Sequence, residues 1–211
     1  MIDARKTLGE LLSDPRIGKI APDAIRNSSR DAFMIAEKSL GYSANTTDEA
    51  EINEAYEWLR TMHSMLRPSY VTDEVIDGMA EGLKWMALVY SGDGAYILSE
   101  NEDMAYCTPS QGTNIAVDAM VIPANAKNPK LANVFIRYML EYEASEANSL
   151  EVGYASANAD VLEALSGPGG DYEGNAAYVP RSGYELDEMY VDLQAEWQSK
   201  QPDLWAKVMA E

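Results

Sequence analysis

Three aspartates occupy positions where a carboxylate could bind a cation. Asp31 follows Ser28 and Ser29 at the start of a predicted helix, and Asp93 lies between two glycines after a predicted strand. A structural role is the stronger alternative for both acids, because a carboxylate there stabilises a helix N-terminus or a turn. Asp118 interrupts the apolar run IAVDAMVI, so its charge must be paired, hydrogen-bonded or turned toward a cleft. For Asp118, a functional role and a structural ion pair are equal alternatives.

The chain contains one cysteine and one histidine, which limits the chemistry that it can perform. Cys107 alone excludes an intrachain disulfide and a cysteine-based metal cluster, and its apolar setting, MAYC, predicts a buried thiol in a strand. His63 lies on a predicted helix, and no serine or cysteine forms a nucleophile motif that would need it. We therefore interpret His63 as structural, and we expect no catalytic residue, metal or other cofactor.

Acidic residues outnumber basic residues by 35 to 16, which gives a net charge of -19. This charge repels nucleic acids and anionic membranes and attracts cations, although a solvated surface that favours solubility is an equal alternative. No apolar run approaches the roughly 20 residues that span a membrane. The first residues, MIDARKTLGELL, lack the apolar core of a signal peptide, so we expect any targeting segment to lie outside this chain.

Two kinds of periodicity alternate along the chain and predict an α/β fold. Apolar residues at three- and four-residue spacing predict helices at 4–12, 29–39, 47–66, 73–80, 129–142, 158–165 and 187–209. Gly41 is predicted to end the second of these helices. Apolar or alternating runs predict strands at 85–90, 104–109 and 114–123. The segments YSGDGAY, 90–96, and GPGGDYEGN, 167–175, are interpreted as loops.

Four separated motifs resemble segments of one known family. They are SSRDAFMIAEKSLGYSANTTDEAEINEAYEWL, VYSGDGAY, QGTNIAVDAMVIPANAKNPKLANVFIRYML and VGYASAN. Together they look like the second-lobe and hinge segments of the periplasmic or lipid-anchored spermidine/putrescine-binding proteins of ATP-binding-cassette (ABC) importers. The resemblance runs in order from about residue 7 to 158 and more loosely to 210. It implies a type II periplasmic-binding-protein-like lobe, a mixed sheet with flanking helices, within an incomplete clamshell.

The resemblance implies a ligand-binding role for five residues. Asp31 matches an acid that holds one end of the polyamine, and Ser28 matches a polar or acidic position near it. Asp118 matches an acid that binds an ammonium group inside the cleft. Tyr90 lies where the family usually has an aromatic wall, commonly tryptophan, and Tyr154 matches an aromatic residue that closes over the ligand.

These residue types suit a polyamine, which carries positive charges at intervals along a flexible chain. Carboxylates bind the ammonium groups, and aromatic faces bury the methylenes between them. By resemblance, the protein is the extracytoplasmic solute-binding component of a polyamine importer. It is not an enzyme, and it delivers its ligand to the permease of the transporter.

The sequence departs from the family pattern at two aromatic positions. Ala116 lies two residues before Asp118, where the family usually has tryptophan, and Tyr90 is smaller than the usual tryptophan. Losing one cation–π contact removes about 0.5 to 2 kcal/mol of binding free energy. We therefore expect weaker polyamine binding or a changed ligand.

The resemblance also divides the chain between the two lobes of the family. Residues 1–112 and 158–211 match the second lobe, whereas 113–157 cross the hinge and belong to the first lobe, most of which is absent. We therefore expect the apolar face of the helix in this segment to stay exposed, or to be covered by a second copy or by fold-back onto its own lobe. This face comprises Leu131, Val134, Phe135, Tyr138 and Met139.

Two other functions remain alternatives. A truncated module that binds no ligand and serves an assembly or transporter contact is compatible with a cleft that lacks one wall. An acid-dependent or metal-dependent hydrolase could use Asp31, Asp93 and Asp118, but their spacing matches no known set of metal ligands. The hydrolase is the less favoured of the two.

Overall fold

The computed structural model describes residues 24–26, 28–71, 73–193 and 195–210 of the 211-residue chain. The predicted helix at 4–12 lies outside these residues. Within the described part, the chain forms eight helices. Their bounds are Ser29–Leu40 (α1), Glu49–Leu66 (α2), Glu74–Ala80 (α3), Ser91–Glu100 (α4), Pro129–Met139 (α5), Tyr142–Val152 (α6), Ala159–Ser166 (α7) and Ala195–Met209 (α8).

Five short strands form two small parallel sheets within the described residues. The strands are Ala24–Arg26 (β1), Ser69–Val71 (β2), Ala87–Leu88 (β3), Asn114–Ile115 (β4) and Glu188–Met189 (β5). The first sheet has the order β2-β1-β3, with Ile25 opposite both Tyr70 and Leu88. The second sheet pairs β4 with β5 and places Asn114 opposite Glu188. Parallel strands joined through helices are typical of the α/β class that the sequence predicts.

The chain divides into two compact units. The first contains the described parts of Met1–Val89, Cys107–Ala116 and Ser182–Glu211, and the second contains Tyr90–Tyr106 and Val117–Arg181. These units are defined by contacts within this chain. The assignment of 1–112, 113–157 and 158–211 to the lobes of a larger clamshell stays a prediction.

The core of the first unit forms where α1, α2 and α8 pack together. Phe33 and Ile52 are fully buried in it, and Trp205 packs against the edge of Tyr70 with 4.8 Å between the ring centroids. His63 lies at the margin of this core, where its Nδ1 is 2.7 Å from the Tyr70 hydroxyl and its ring stacks on the tyrosine. The interpretation of His63 as a hydrogen-bonded structural residue is therefore confirmed.

The second unit has a smaller core between α4, α7 and the loop that follows α7. Val161 and Leu165 of α7 are buried beside Tyr172 and Tyr178, whose stacked rings lie 4.1 Å apart between centroids. The buried Ser149 hydroxyl lies 2.8 Å from the Tyr178 hydroxyl. Apolar packing and satisfied hydroxyls thus hold α6 against the rest of the unit.

Several sequence predictions are wrong in detail. The predicted loop 90–96 contains the start of α4, and the C-terminal helix begins at Ala195 rather than at 187. No strand forms at 104–109. Cys107 is exposed, so the prediction of a buried strand thiol is also wrong. Of the predicted strand 114–123, only β4 pairs with another strand.

Candidate ligand-binding site

Ser28 and Asp31 lie together at the start of α1. The Ser28 hydroxyl accepts a hydrogen bond from the Asp31 backbone N–H at 3.3 Å, which caps the helix. The Asp31 carboxylate in the first turn is favourably placed for the helix dipole. Both side chains are half-buried, so the Asp31 side chain at the helix start remains partly accessible to solvent.

Tyr190 contacts the Asp31 carboxylate and was not predicted from the sequence. Its hydroxyl donates a hydrogen bond to Asp31 Oδ1 at 2.9 Å across 159 positions of the chain. Burial raises the pKa of the Tyr190 hydroxyl, and the neighbouring Asp31 raises it further. Tyr190 therefore stays protonated and remains a donor at physiological pH. No local sequence pattern brings these two residues together.

Glu188, the neighbouring acid in β5, is engaged in internal contacts. It forms an ion pair with Lys38 and accepts hydrogen bonds from the Ser43 hydroxyl and the Ala44 N–H, both at 2.7 Å. Burial opposes ionisation of Glu188, but the bonds from Lys38, Ala44 and Ser43 outweigh it and lower the pKa. Glu188 therefore joins β5 to α1 as a structural acid.

Tyr90 and Tyr154 lie near the start of α4 in the second unit. Tyr90 precedes α4, and its backbone N–H donates to Asp93 Oδ2 at 3.3 Å, so Asp93 acts as a helix cap. The Tyr154 ring lies beside Gly92, so close that a Cβ atom at Gly92 would be 2.3 Å from the ring. Only a glycine permits this approach, because any side chain there would overlap the tyrosine.

Asp118 is exposed and follows β4 in an irregular segment. The prediction that it interrupts a strand is wrong, because pairing ends at Ile115. The neighbouring Val117 and Val121 have 71% and 81% of their surface exposed. Two apolar side chains that flank Asp118 in sequence thus remain largely uncovered within the chain.

The described residues provide no cluster that would hold a metal ion. Nowhere in 24–26, 28–71, 73–193 and 195–210 do three or more histidine, cysteine, aspartate or glutamate side chains converge. The three acids considered for hydrolysis, Asp31, Asp93 and Asp118, therefore do not form a shared metal site in this part of the chain. Among the same residues, no helix combines the length and hydropathy needed to cross a membrane.

Comparison with known proteins identifies relatives over most of the chain. Residues 3–177 match the family model described as bacterial extracellular solute-binding protein, and this range contains all five predicted ligand-binding residues. The spermidine/putrescine-binding periplasmic protein of Salmonella typhimurium is 28% identical over 142 residues, or 67% of this chain and 40% of the relative. The chain therefore spans about 40% of the length of this curated relative.

Solved structures show the same fold. A spermidine/putrescine ABC transporter protein from Listeria monocytogenes is 30% identical with a TM-score of 0.83, covering 96% of this chain and 61% of the other. The spermidine/putrescine ABC transporter substrate-binding protein of Streptococcus pneumoniae is 25% identical with a TM-score of 0.80, covering 100% and 63%. The fold is therefore part of the periplasmic-binding-protein architecture, and the chain belongs to the bacterial extracellular solute-binding protein family.

Proposed function

We propose that this protein is the extracytoplasmic solute-binding component of a polyamine ABC importer, which captures spermidine- or putrescine-like cations. The observation that carries the proposal is that relatives described as spermidine/putrescine-binding or transport proteins match a chain whose candidate residues are mainly acids and tyrosines. The relatives are binding proteins, so the role needs no catalytic group. The net charge of -19 supports it further, because a strongly acidic protein attracts a polycation over long distance.

The proposed ligand contacts are Ser28, Asp31, Tyr90, Asp118 and Tyr154. Asp31 and Asp118 bind ammonium groups, and Ser28 holds the helix start that carries Asp31. Tyr90 and Tyr154 supply aromatic faces for the methylenes and for cation–π contacts. Ala116 offers no such face, so we expect affinity to depend more on the two carboxylates than it does in relatives with tryptophan there.

The proposed partner for delivery is the membrane permease of the importer. The curated relative is described as periplasmic, and we place this protein on the same outer side of the membrane. In this proposal 1–112 and 158–211 form the second lobe, whereas 113–157 complete a first lobe supplied mostly by other residues.

The exposed face of α5 supports a second candidate role, in which the chain is an interaction module that binds no ligand. No residue of α5 is buried, and Leu131, Val134, Phe135 and Tyr138 are each exposed by at least 55%. These residues repeat at helical spacing and therefore form one apolar stripe. Met139, which was predicted to share this face, is half-buried.

The proposed partner for this stripe is a second copy of the chain. Lys130 lies at the start of α5 and Glu141 follows its end. If two α5 helices pair antiparallel about a two-fold axis, Lys130 at the start of each helix lies near Glu141, which follows the end of the other. The apolar stripes then cover each other, and the charges at the rim are complementary.

Calorimetric titration with matched ligands tests the polyamine proposal. Putrescine and spermidine are compared with 1,4-butanediol, which has the carbon chain of putrescine without its charge, at constant ionic strength. We expect saturable binding of the amines and none of the diol, because the carboxylates recognise ammonium groups. Binding of the diol as tightly as putrescine, or no amine binding at about 1 mM, would overturn the proposal and favour the interaction module.

A further inference from the structure

The Asp31 carboxylate at the start of α1 is joined through Tyr190 to a network of three further residues. Tyr190 donates to Asp31 Oδ1 at 2.9 Å, and the Arg30 guanidinium lies 4.5 Å above the centre of the Tyr190 ring. Arg30 Nη2 donates to Asn45 Oδ1 at 2.8 Å. The same Asn45 oxygen accepts the Val191 N–H at 3.0 Å, which fixes the backbone next to Tyr190.

The network holds the Arg30 guanidinium through contacts with Asn45, Ala44 and Tyr190. An arginine beside an aspartate in sequence could pair with it and neutralise the charge that a cationic ligand needs. Here the guanidinium is directed toward Asn45, the Ala44 carbonyl at 3.3 Å and the face of Tyr190. The Tyr190 hydroxyl donates to Asp31 Oδ1.

We infer that Tyr190 is a positioning residue that fixes the Asp31 carboxylate for the ammonium group of a polyamine. This inference rests on the proposed function and extends it to a residue outside the five ligand contacts. A tyrosine suits the task because its hydroxyl orients the carboxylate without cancelling its negative charge. The half-buried ring also keeps Arg30 in place through the cation–π contact.

The chain offers a matched control for removing the Tyr190 hydroxyl. Tyr42 also donates to a carboxylate, Glu54 Oε2, at 2.6 Å, and it lies in the same unit. We expect Tyr190→Phe to weaken spermidine binding by about threefold to tenfold, in line with the net contribution of one hydrogen bond. Tyr42→Phe removes an equivalent bond away from Asp31 and should leave the affinity unchanged.

A double-mutant cycle distinguishes positioning from a general effect on folding. Spermidine affinity is measured by calorimetry for the unsubstituted chain, Tyr190→Phe, Asp31→Asn and the double variant, with urea unfolding of each as a check. We expect Tyr190→Phe to have no further effect on affinity once Asp31→Asn is present, because the tyrosine acts through the carboxylate.

The outcomes separate this inference from the proposed function. If the unsubstituted chain binds no spermidine, the polyamine function fails, and the inference falls with it. Two results would overturn the inference alone, provided that the unsubstituted chain binds spermidine. In the first, the affinity of Tyr190→Phe is within about 1.5-fold of the unsubstituted chain. In the second, Tyr190→Phe lowers the affinity equally with and without Asp31→Asn. A loss of affinity that Tyr42→Phe reproduces would likewise assign the effect to stability.

Discussion

Two acids of this protein, Glu37 and Asp118, differ in how far their carboxylates are exposed to solvent. Glu37 on α1 is 1% exposed, and Gln201 Nε2 donates to its carboxylate at 3.4 Å. Burial raises the pKa of Glu37 from 4.5 to about 7, although the charge of Arg30 opposes the shift. Asp118 in contrast is exposed, so its side chain is accessible to a cation from solvent.

Glu37 should make the stability of the first unit depend on pH. Its folded pKa lies above the unfolded value, so its favourable contribution is complete below pH 4.5 and is lost as the pH rises through about 7. Glu37→Gln removes this loss, and we expect it to raise the free energy of unfolding at pH 8 by up to about 3 kcal/mol. The measurement is urea unfolding from pH 5 to pH 8.

Glu57→Gln is the control for this prediction, because Glu57 is an exposed acid on α2. It should leave the pH dependence unchanged. If Glu37→Gln and the unsubstituted chain lose stability in parallel between pH 5 and pH 8, Glu37 does not carry a raised pKa in the folded protein.

Asp118 should be the most important single side chain for ligand affinity if the proposed function is right. Asp118→Asn keeps the shape but removes the charge, and the loss of a hydrogen bond between charged groups weakens binding by about 1.5 to 3 kcal/mol. We expect at least a tenfold rise in the Kd for spermidine. Asp103→Asn, at another exposed acid of the same unit, should have little effect. Binding by Asp118→Asn within twofold of the unsubstituted chain would show that Asp118 is not a ligand contact.

At the scale of elements, helices with strong apolar periodicity were predictable, and those determined by distant contacts were not. The helix at 29–39 and its end at Gly41 are confirmed, since Gly41 adopts a φ of 86° that favours glycine. The predicted loop 90–96 instead begins α4, although glycine disfavours helix formation. The small residues there allow the rings of Tyr154 and Tyr106 to pack closely against Gly92 and Gly94.

Strand 114–123 was overpredicted because its apolar pattern indicates a buried strand, whereas pairing in this chain ends at Ile115. A strand needs a neighbour to bind its backbone, and local sequence does not show whether one is present. The Tyr190–Asp31 contact was missed for the same reason, because it joins two distant segments.

Gly92→Ala tests the contact between α4 and Tyr154. The added Cβ would lie 2.3 Å from the ring, so the ring must move, and overpacking of this kind costs about 1 to 3 kcal/mol. We expect a lower melting temperature and weaker spermidine binding. Gly78→Ala on α3 is the control, because its Cβ meets only the flexible end of Lys84 at 3.0 Å and above. Equal melting temperatures for the two variants would contradict the close packing at Gly92.

Phe135→Glu tests the exposed stripe on α5. Phe135 is 56% exposed in the single chain, so a charge there should leave the fold intact but prevent pairing with a second copy. Light scattering should show a mass that rises with concentration for the unsubstituted chain and stays near 23.2 kDa for the variant. A constant monomer mass for both proteins at micromolar concentration would rule out the dimer.

At the scale of the whole molecule, the residues proposed to contact the ligand belong to two compact units. Ser28 and Asp31 belong to the first unit, whereas Tyr90, Asp118 and Tyr154 belong to the second. Each unit has its own apolar core, so the two sets of contacts are supported independently. The chain covers 61% and 63% of the length of two solved relatives.

The most direct test of the polyamine function is calorimetric titration of spermidine into this chain and into a longer chain that also carries a first lobe. We expect one saturable site in the longer protein and weaker binding in the 211-residue chain, because the proposed function assigns part of the cleft to the first lobe. Neither protein should convert spermidine to another product. Absence of spermidine binding to the 211-residue chain at about 1 mM, or turnover of the amine by either protein, would contradict the account.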